Sequence, residues 1–338
     1  MTSKNTFIIG EAGANHNRDW HSAKKLVDAA VKAACDAVKF QTYSSETLYA
    51  KNTPDFAGYK NINKLIKDIE LPRHWHKDLK LYCDDHGIEF MSTPFDERAI
   101  DELYSIGVNR LKIAGFEARD PRLIKYAAST GLPLIITAGI GVDLVSIAYI
   151  IGWIMEKNSN PDITFLHGNN AYPTPFVDIC LGQIERIKNM DYDWPIKVGL
   201  SDHTEGILIP PAAVALGATT IEKHFTLDRA LPGPDHAFAI EPSELVQMVK
   251  NIRTIETTLI PKWNSVSSSE QAFVKGMRSV VSNAKIKKGE LLSPTNITTK
   301  RPSVSGCVGA QEYFGIMGLR VNKDIDDDQV LLWDDLSN

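Results

Sequence analysis

The sequence predicts an α/β chain, a (β/α)8 TIM barrel followed by a small β-rich module, on three observations. Eight short apolar runs of strand length alternate with longer stretches of helical period. A polar, serine-rich stretch at Pro261–Ser269 then breaks the alternation. Short β-type runs separated by turn signals fill the remainder.

The expected strands are Phe7–Gly13, Ala37–Thr42, Glu89–Phe95, Arg110–Gly115, Pro133–Gly139, Ile163–Asn169, Ile196–Asp202 and Thr219–Thr226. Near-continuous apolar strands separated by helices argue a parallel sheet covered on its outer face. Helical spacing covers 19–34, 74–87, 97–106, 120–130, 142–157, 178–190, 207–217 and 242–259. Eight such units within about 260 residues argue a closed barrel more than an open doubly wound sheet. The open sheet also wants a dinucleotide fingerprint, and Gly139-Ile140-Gly141 lacks its third glycine. Residues 43–70 after the second strand are expected as a lid or a partly structured loop. The predicted organisation is a barrel over 1–260, a linker over 261–278 and a module over 279–338 with β-runs at Ser279–Ser282, Ile297–Thr299, Gly318–Val321 and Val330–Trp333. The acidic runs Asp324–Asp328 and Asp334–Asp335 read as solvated loop ends.

The chain has 338 residues and a formal net charge of −5, from 37 basic and 42 acidic side chains, so nothing drives it onto nucleic acid. No stretch approaches the length of a membrane span, and the N-terminus lacks the apolar region of a secretory signal. Cys35, Cys83, Cys180 and Cys307 show no paired spacing, which fits a cytoplasmic protein better than a disulfide framework.

Catalytic groups of such a barrel lie where strands end, and the expected strand ends carry costly polar residues. Glu11, Asn15 and His16 follow strand one, Lys39 and Gln41 lie in strand two, Ser92-Thr93 in strand three and Lys112 in strand four, with Glu117 just after. Thr137 ends strand five, His167, Asn169, Asn170 and Tyr172 follow strand six, Ser201-Asp202-His203 strand seven, and Glu222-Lys223-His224 strand eight. Lys39 and Lys112 sit inside apolar runs, where a lone ammonium is expensive, so they imply a bound anion, a reactive amine or a carboxylate partner. With Ser92, Thr93, Thr137 and Ser201 they suit a phosphorylated, carboxylated small molecule. His203 and His224 on adjacent strand ends suit a divalent metal with an open position, flanked by Asp202 and Glu222 as supporting or acid/base carboxylates.

The runs Glu11-Ala12-Gly13-Ala14-Asn15-His16, Val38-Lys39-Phe40-Gln41-Thr42, Ser92-Thr93-Pro94-Phe95, Tyr172-Pro173-Thr174-Pro175, Gly199-Leu200-Ser201-Asp202-His203-Thr204, Ile221-Glu222-Lys223-His224-Phe225 and Pro232-Gly233-Pro234-Asp235 resemble the sialic acid synthases, including the legionaminic and pseudaminic acid synthases. Ile286-Lys287-Lys288-Gly289-Glu290 and Lys300-Arg301-Pro302 resemble that family's antifreeze-like (SAF) module, so the likeness spans essentially the whole chain. It implies condensation of phosphoenolpyruvate with an open-chain N-acyl hexosamine such as N-acetylmannosamine, or with a 2,4-diacetamido-trideoxyhexose, and release of phosphate. It implies that Lys39, Lys112, Thr93, Thr137 and Ser201, with Gln41 and Asn170 nearby, hold phosphoenolpyruvate, and that His203 and His224 ligate Mn2+ or Mg2+. Glu11, Tyr172, Asp235 and Arg301 would hold the acceptor sugar, and Glu117 and Glu222 would transfer protons or activate water. It further implies a homodimer in which each small module covers its partner's barrel mouth and brings Arg301 to it.

Three positions depart from the common pattern of that family. Gly115 stands where a serine is usual in the phosphate pocket, Thr137-Ala138-Gly139 replaces serine-threonine-glycine, and Gly168-Asn169 replaces cysteine and threonine. Phe116 is closer to the pseudaminic branch, Pro232-Gly233-Pro234-Asp235 to the neuraminic and legionaminic branches. Two other classes of function compete: a class I aldolase with a Schiff base on Lys39 or Lys112, and a non-catalytic sugar- or anion-binding protein, which the loss of a hydroxyl at Gly115 would favour.

Overall fold

A computed structural model describes residues 5–55, 58, 60–260 and 266–337. The chain divides into two compact units, Met1–Ile260 and Pro261–Asn338.

In the first unit, eight parallel strands alternate with helices: β1 (Phe7–Gly13), α1 (Trp20–Lys32), β2 (Ala37–Thr42), α2 (Ile62–Ile69), α3 (His76–Asp85), β3 (Glu89–Pro94), α4 (Glu97–Ser105), β4 (Leu111–Ile113), α5 (Pro121–Ser129), β5 (Leu134–Ala138), α6 (Leu144–Met155), β6 (Ile163–Gly168), α7 (Gly182–Lys188), β7 (Lys197–Asp202), α8 (Ile209–Ala215), β8 (Thr220–His224) and α9 (Pro242–Thr258). Hydrogen-bonded neighbours run β3-β2-β1-β8-β7-β6-β5-β4, and β3 and β4 lie alongside each other to bring the sheet round into a barrel. The helices start where the sequence places aspartates: Asp19, Asp96, Asp120 and Asp143 each accept a backbone N–H from the first turn of α1, α4, α5 and α6, a cap that contributes about 1 kcal/mol.

Side chains alternate in and out along each strand, and this period of two builds the site. Ile9, Ala37, Met91, Ile135 and Leu166 form an apolar plug separate from the main core. Two residues further along the same strands stand Glu11, Lys39, Thr93, Thr137 and Gly168. The opposite faces, with Ile8, Val38, Phe90, Ile136 and Phe165, join the helices in the main core. The plug closes the barrel from below, so polar groups above it face one opening.

Most expected elements stand within a few residues of their predicted bounds, with four differences. Residues 43–70 contain α2, held by Ile62 and Ile66 packing with Tyr43; eight residues of helix were hidden by the polar loop around them. Strand four shrinks from Arg110–Gly115 to three residues, because Arg110 turns to pair with Glu89 at 2.7 Å and the chain leaves the ladder at Ala114. The helix expected at 178–190 becomes a 3-10 turn at Phe176–Asp178 followed by the short α7. In the second unit, β9 (Ser279–Ser282) pairs with β10 (Ile297–Lys300), and β11 (Arg320–Val321) with β12 (Leu336–Ser337). The run Val330–Trp333 forms single bridges at Val330 and Leu332 rather than a strand, as the chain turns into a 3-10 helix at Trp333.

Asp335 is not a solvated loop end. It is buried, accepts the Leu332 N–H and pairs with Lys323 at 2.6 Å. Residues 261–265 of the expected linker lie outside the described residues, and a 3-10 helix covers Gln271–Gly276. All four cysteines are unpaired, and among the described residues no helix is long and apolar enough to cross a membrane.

The plug gives a stability prediction. Leu166→Ala should lower the unfolding free energy by about 2–5 kcal/mol in urea titration, because Leu166 is fully buried and its neighbours, held by the sheet, cannot close the void.

Candidate active site

One cavity at the C-terminal end of the barrel is lined by Glu11, Lys39, Gln41, Thr93, Lys112, Thr137, Asn170, Tyr172, Ser201, His203, Glu222 and His224, together with Phe95, Ala114 and Gly115. Residues from all eight strand ends therefore meet, which the alternation described above requires.

Its centre is a chain of four buried charges. Lys39 Nζ lies 2.8 Å from Glu11 Oε2 and 3.5 Å from Glu222 Oε2, and Lys112 Nζ lies 3.0 Å from Glu222 Oε1. Hydrogen bonds extend it: Lys39 donates to Thr93 Oγ1 at 2.9 Å, Ser201 Oγ to Glu222 Oε1 at 2.8 Å, and Gln41 Nε2 to Glu11 Oε1 at 2.9 Å. Burial alone would neutralise such groups. Against burial, Lys112 and then Lys39 hold Glu222 far below the usual carboxylate range. Burial pushes Glu11 up, because only Lys39 lies against it and the charge of Glu222 opposes it. Burial also works against the Lys39 ammonium, but Glu11 and Glu222 outweigh it and raise its pKa, whereas Lys112 is lowered by burial. Partnering by carboxylates and a place for an anion were alternatives for the two lysines; the cavity gives both lysines close carboxylate partners and sets beside them the Thr137 hydroxyl, buried with no internal partner.

The opposite wall is aromatic. The rings of His203 and His224 stand 5.4 Å apart, with Tyr172 4.3 Å from His203 and Phe238 5.3 Å from His224. His203 Nδ1 donates to the Asn169 carbonyl at 2.5 Å, which leaves Nε2 unprotonated and turned toward Ser201 Oγ at 3.4 Å. Burial lowers His203 to about 4 and His224 well below its ordinary value, so both stay neutral. His224 Nδ1 is buried without a hydrogen-bond partner, its nearest carboxylate being Asp235 Oδ2 at 3.9 Å. Two neutral imidazoles, one with its tautomer set by a carbonyl and one with an orphaned nitrogen, fit a divalent cation. Among the described residues no third His, Cys, Asp or Glu completes such a group, so other ligands would come from water or substrate.

Gly115 does not leave a hole. A Cβ there would lie 2.9 Å from Asn170 Oδ1, and one at Gly139 only 2.1 Å from it. The Asn170 amide thus occupies the space of the missing serine, anchored by the Ile140 N–H at 2.8 Å. Asp235 accepts the Ala14 N–H beside Gly13, and burial raises it to about 6.

Other expected residues lie elsewhere. Ser92 faces away from the cavity, bonded to Thr42 at 2.7 Å, and Thr42 in turn meets His76; the alternation Met91-Ser92-Thr93 already assigns Ser92 to the outer face. Asp202 also points outward, to Lys223, and is not an acid or base of the cavity. Asn15 donates to the Phe225 carbonyl, His16 packs on Phe40 and Trp75, and His167 meets the Ile179 carbonyl. Glu117 lines a neighbouring cavity that shares the Phe95 wall; its Oε2 is buried without a partner, and burial raises it to about 7. Arg301 is exposed in the second unit, before a cis proline.

Comparison with known proteins places the chain in a family. Residues 26–262 match the NeuB family and residues 277–337 match the SAF domain. The chain belongs to the NeuB family. An N,N'-diacetyllegionaminic acid synthase of Legionella pneumophila is 38% identical, over 98% of this chain and 95% of that one. A pseudaminic acid synthase of Campylobacter jejuni is 33% identical, over 96% and 95%. The crystal structure of an N-acetylneuraminic acid synthetase from Leptospira borgpetersenii superposes with a TM-score of 0.72 at 34% identity, covering 81% of this chain and 91% of that one. This NeuB chain is therefore an enzyme of the sialic acid synthase class, with a TIM-like barrel and an SAF module.

Glu117 supplies a pH prediction. Its folded pKa lies above the ordinary 4.5, so the stability tied to its proton is present at low pH and is lost as pH rises through about 7. Glu117→Gln should therefore gain melting temperature relative to the parent chain between pH 5 and 8; an unchanged difference across that range would contradict the assignment.

Proposed function

We propose that this chain joins phosphoenolpyruvate to the open-chain form of an N-acyl hexosamine and releases phosphate. The observation that carries the reading is the buried Glu11–Lys39–Glu222–Lys112 chain beside two neutral imidazoles.

Lys39, Lys112, Thr93, Thr137, Ser201, Gln41 and Asn170 bind the phosphate and carboxylate of phosphoenolpyruvate. An arriving trianion competes with Glu11 and Glu222 for the ammoniums, and the raised pKa of Glu11 lets that group take a proton and relieve the repulsion. Glu11, Tyr172 and Asp235 hold the acceptor, with Arg301 supplied by the module of a partner subunit in a homodimer. His203 and His224 would hold Mn2+ or Mg2+, which when bound supplies Lewis acidity toward the acceptor carbonyl. C3 of phosphoenolpyruvate attacks the acceptor carbonyl carbon, and positive character grows at C2, where ionised Glu222 stabilises it. The alkoxide formed on the acceptor takes the proton held by Glu11, water then adds at C2 and returns a proton to the Glu11 carboxylate, and phosphate leaves with the former bridging oxygen while the C2 hydroxyl proton departs with it. Holding both substrates in one mouth removes most of the entropic barrier.

The acceptor has two forms to choose between, N-acetylmannosamine and a 2,4-diacetamido-trideoxyhexose, and the likeness to the Legionella legionaminic acid synthase favours the second. A Schiff base on Lys39 is disfavoured because Glu11 and Glu222 hold that amine charged. The unpaired thiols suit a reducing cytoplasm.

Purified protein with Mn2+ and phosphoenolpyruvate should release phosphate only when an N-acyl sugar is added. His203→Ala should abolish that release with the unfolding midpoint kept, and Arg301→Ala should raise the acceptor KM while leaving phosphoenolpyruvate binding in place. Acceptor-independent release, or full turnover in His203→Ala, would overturn the reading.

A further inference from the structure

We propose that the buried Asp202–Lys223 ion pair is a clasp that sets the separation and orientation of His203 and His224, which makes both its members positioning residues for the cation-binding half of the site. The proposal rests on the reading that the two histidines hold a divalent ion.

The ladder between β7 and β8 ends at the pair Asp202↔Lys223, and each histidine is the next residue along the chain, His224 closing β8 and His203 following β7. Beyond that rung no β7–β8 ladder pair joins the two strands, yet both imidazoles must converge on one point. The side chains of the last rung take over. Lys223 Nζ lies 2.8 Å from Asp202 Oδ2 and donates to the Thr204 carbonyl as well, reaching from the His224 strand across to the far side of His203. Asp202 Oδ1 accepts the Thr204 N–H at 3.0 Å and the Thr204 hydroxyl at 2.8 Å. His203 is thus bracketed before and after by one network whose anchor lies beside His224.

Both charges are fully buried, at about 1% exposure, on the helix-facing side of the sheet and away from the cavity. An ion pair so placed returns little net stability, since an apolar pair of similar volume would pack as well. An apolar pair could not grip Thr204. Outer partners that orient metal ligands are commonly worth 10- to 100-fold in affinity, and the clasp reaches both ligands through the backbone instead of through the rings.

The test is Mn2+ titration of the full-length chain by electron paramagnetic resonance, alongside unfolding midpoints and metal-free phosphoenolpyruvate binding. The double variant Asp202→Leu/Lys223→Met should unfold cooperatively and keep phosphoenolpyruvate binding, yet bind Mn2+ about 10-fold more weakly or worse. Unchanged Mn2+ affinity in a folded double variant overturns the clasp alone. If that variant does not fold, the isosteric Asp202→Asn carries the same test: weaker Mn2+ binding supports the clasp and unchanged binding overturns it. Mn2+ binding by the parent chain that does not depend on His203 overturns the cation reading and the clasp together.

Discussion

Two ammonium groups and two carboxylates share the upper interior of the barrel, and none of the four could be buried there alone. Each unpaired ion would cost several kcal/mol in desolvation, so the site exists only because the charges alternate, Glu11–Lys39–Glu222–Lys112, with the Gln41 amide donating to Glu11, the Ser201 hydroxyl to Glu222, and Thr93 accepting from Lys39. The barrel makes that alternation affordable to build. Four different strands each contribute one charge to a mouth whose floor is a common apolar plug. Because the geometry is set by the ladders, the arrangement is formed before any substrate arrives.

The same constraint divides the mouth into two kinds of chemistry. On the lysine side, fixed cations and the unpartnered Thr137 hydroxyl suit an anion. On the histidine side, burial keeps the imidazoles neutral, the form that binds metal, and the Asn169 carbonyl fixes the tautomer of His203. Asn170 fills the space that Gly115 and Gly139 leave open, so the side-chain volume missing at 115 is supplied by an amide from the next strand but one.

Much of this was legible from residue order. Apolar strand runs with a polar residue two positions past the plug gave the barrel and most of the cavity, since a period of two assigns inward residues without further information. The same rule applied to Ser92 and Asp202 would have removed them from the cavity, and their chemistry alone misled. Other features needed three dimensions. The pairing of each lysine with Glu222 joins residues more than 100 positions apart, and Asn170 meets Gly115 only because two loops fold over the same strand ends. The helix Ile62–Ile69 was hidden because its few apolar residues pack on a local cluster around Tyr43 instead of on the barrel.

The central claim is that ionised Glu222, fixed between Lys39 and Lys112, stabilises positive charge at C2 so that the C–O bond breaks. The direct measurement is turnover of phosphoenolpyruvate labelled with 18O in its bridging position, with mass analysis of both products. The account predicts that the label leaves in inorganic phosphate. Label retained in the keto acid would mean P–O cleavage by attack at phosphorus and would contradict it.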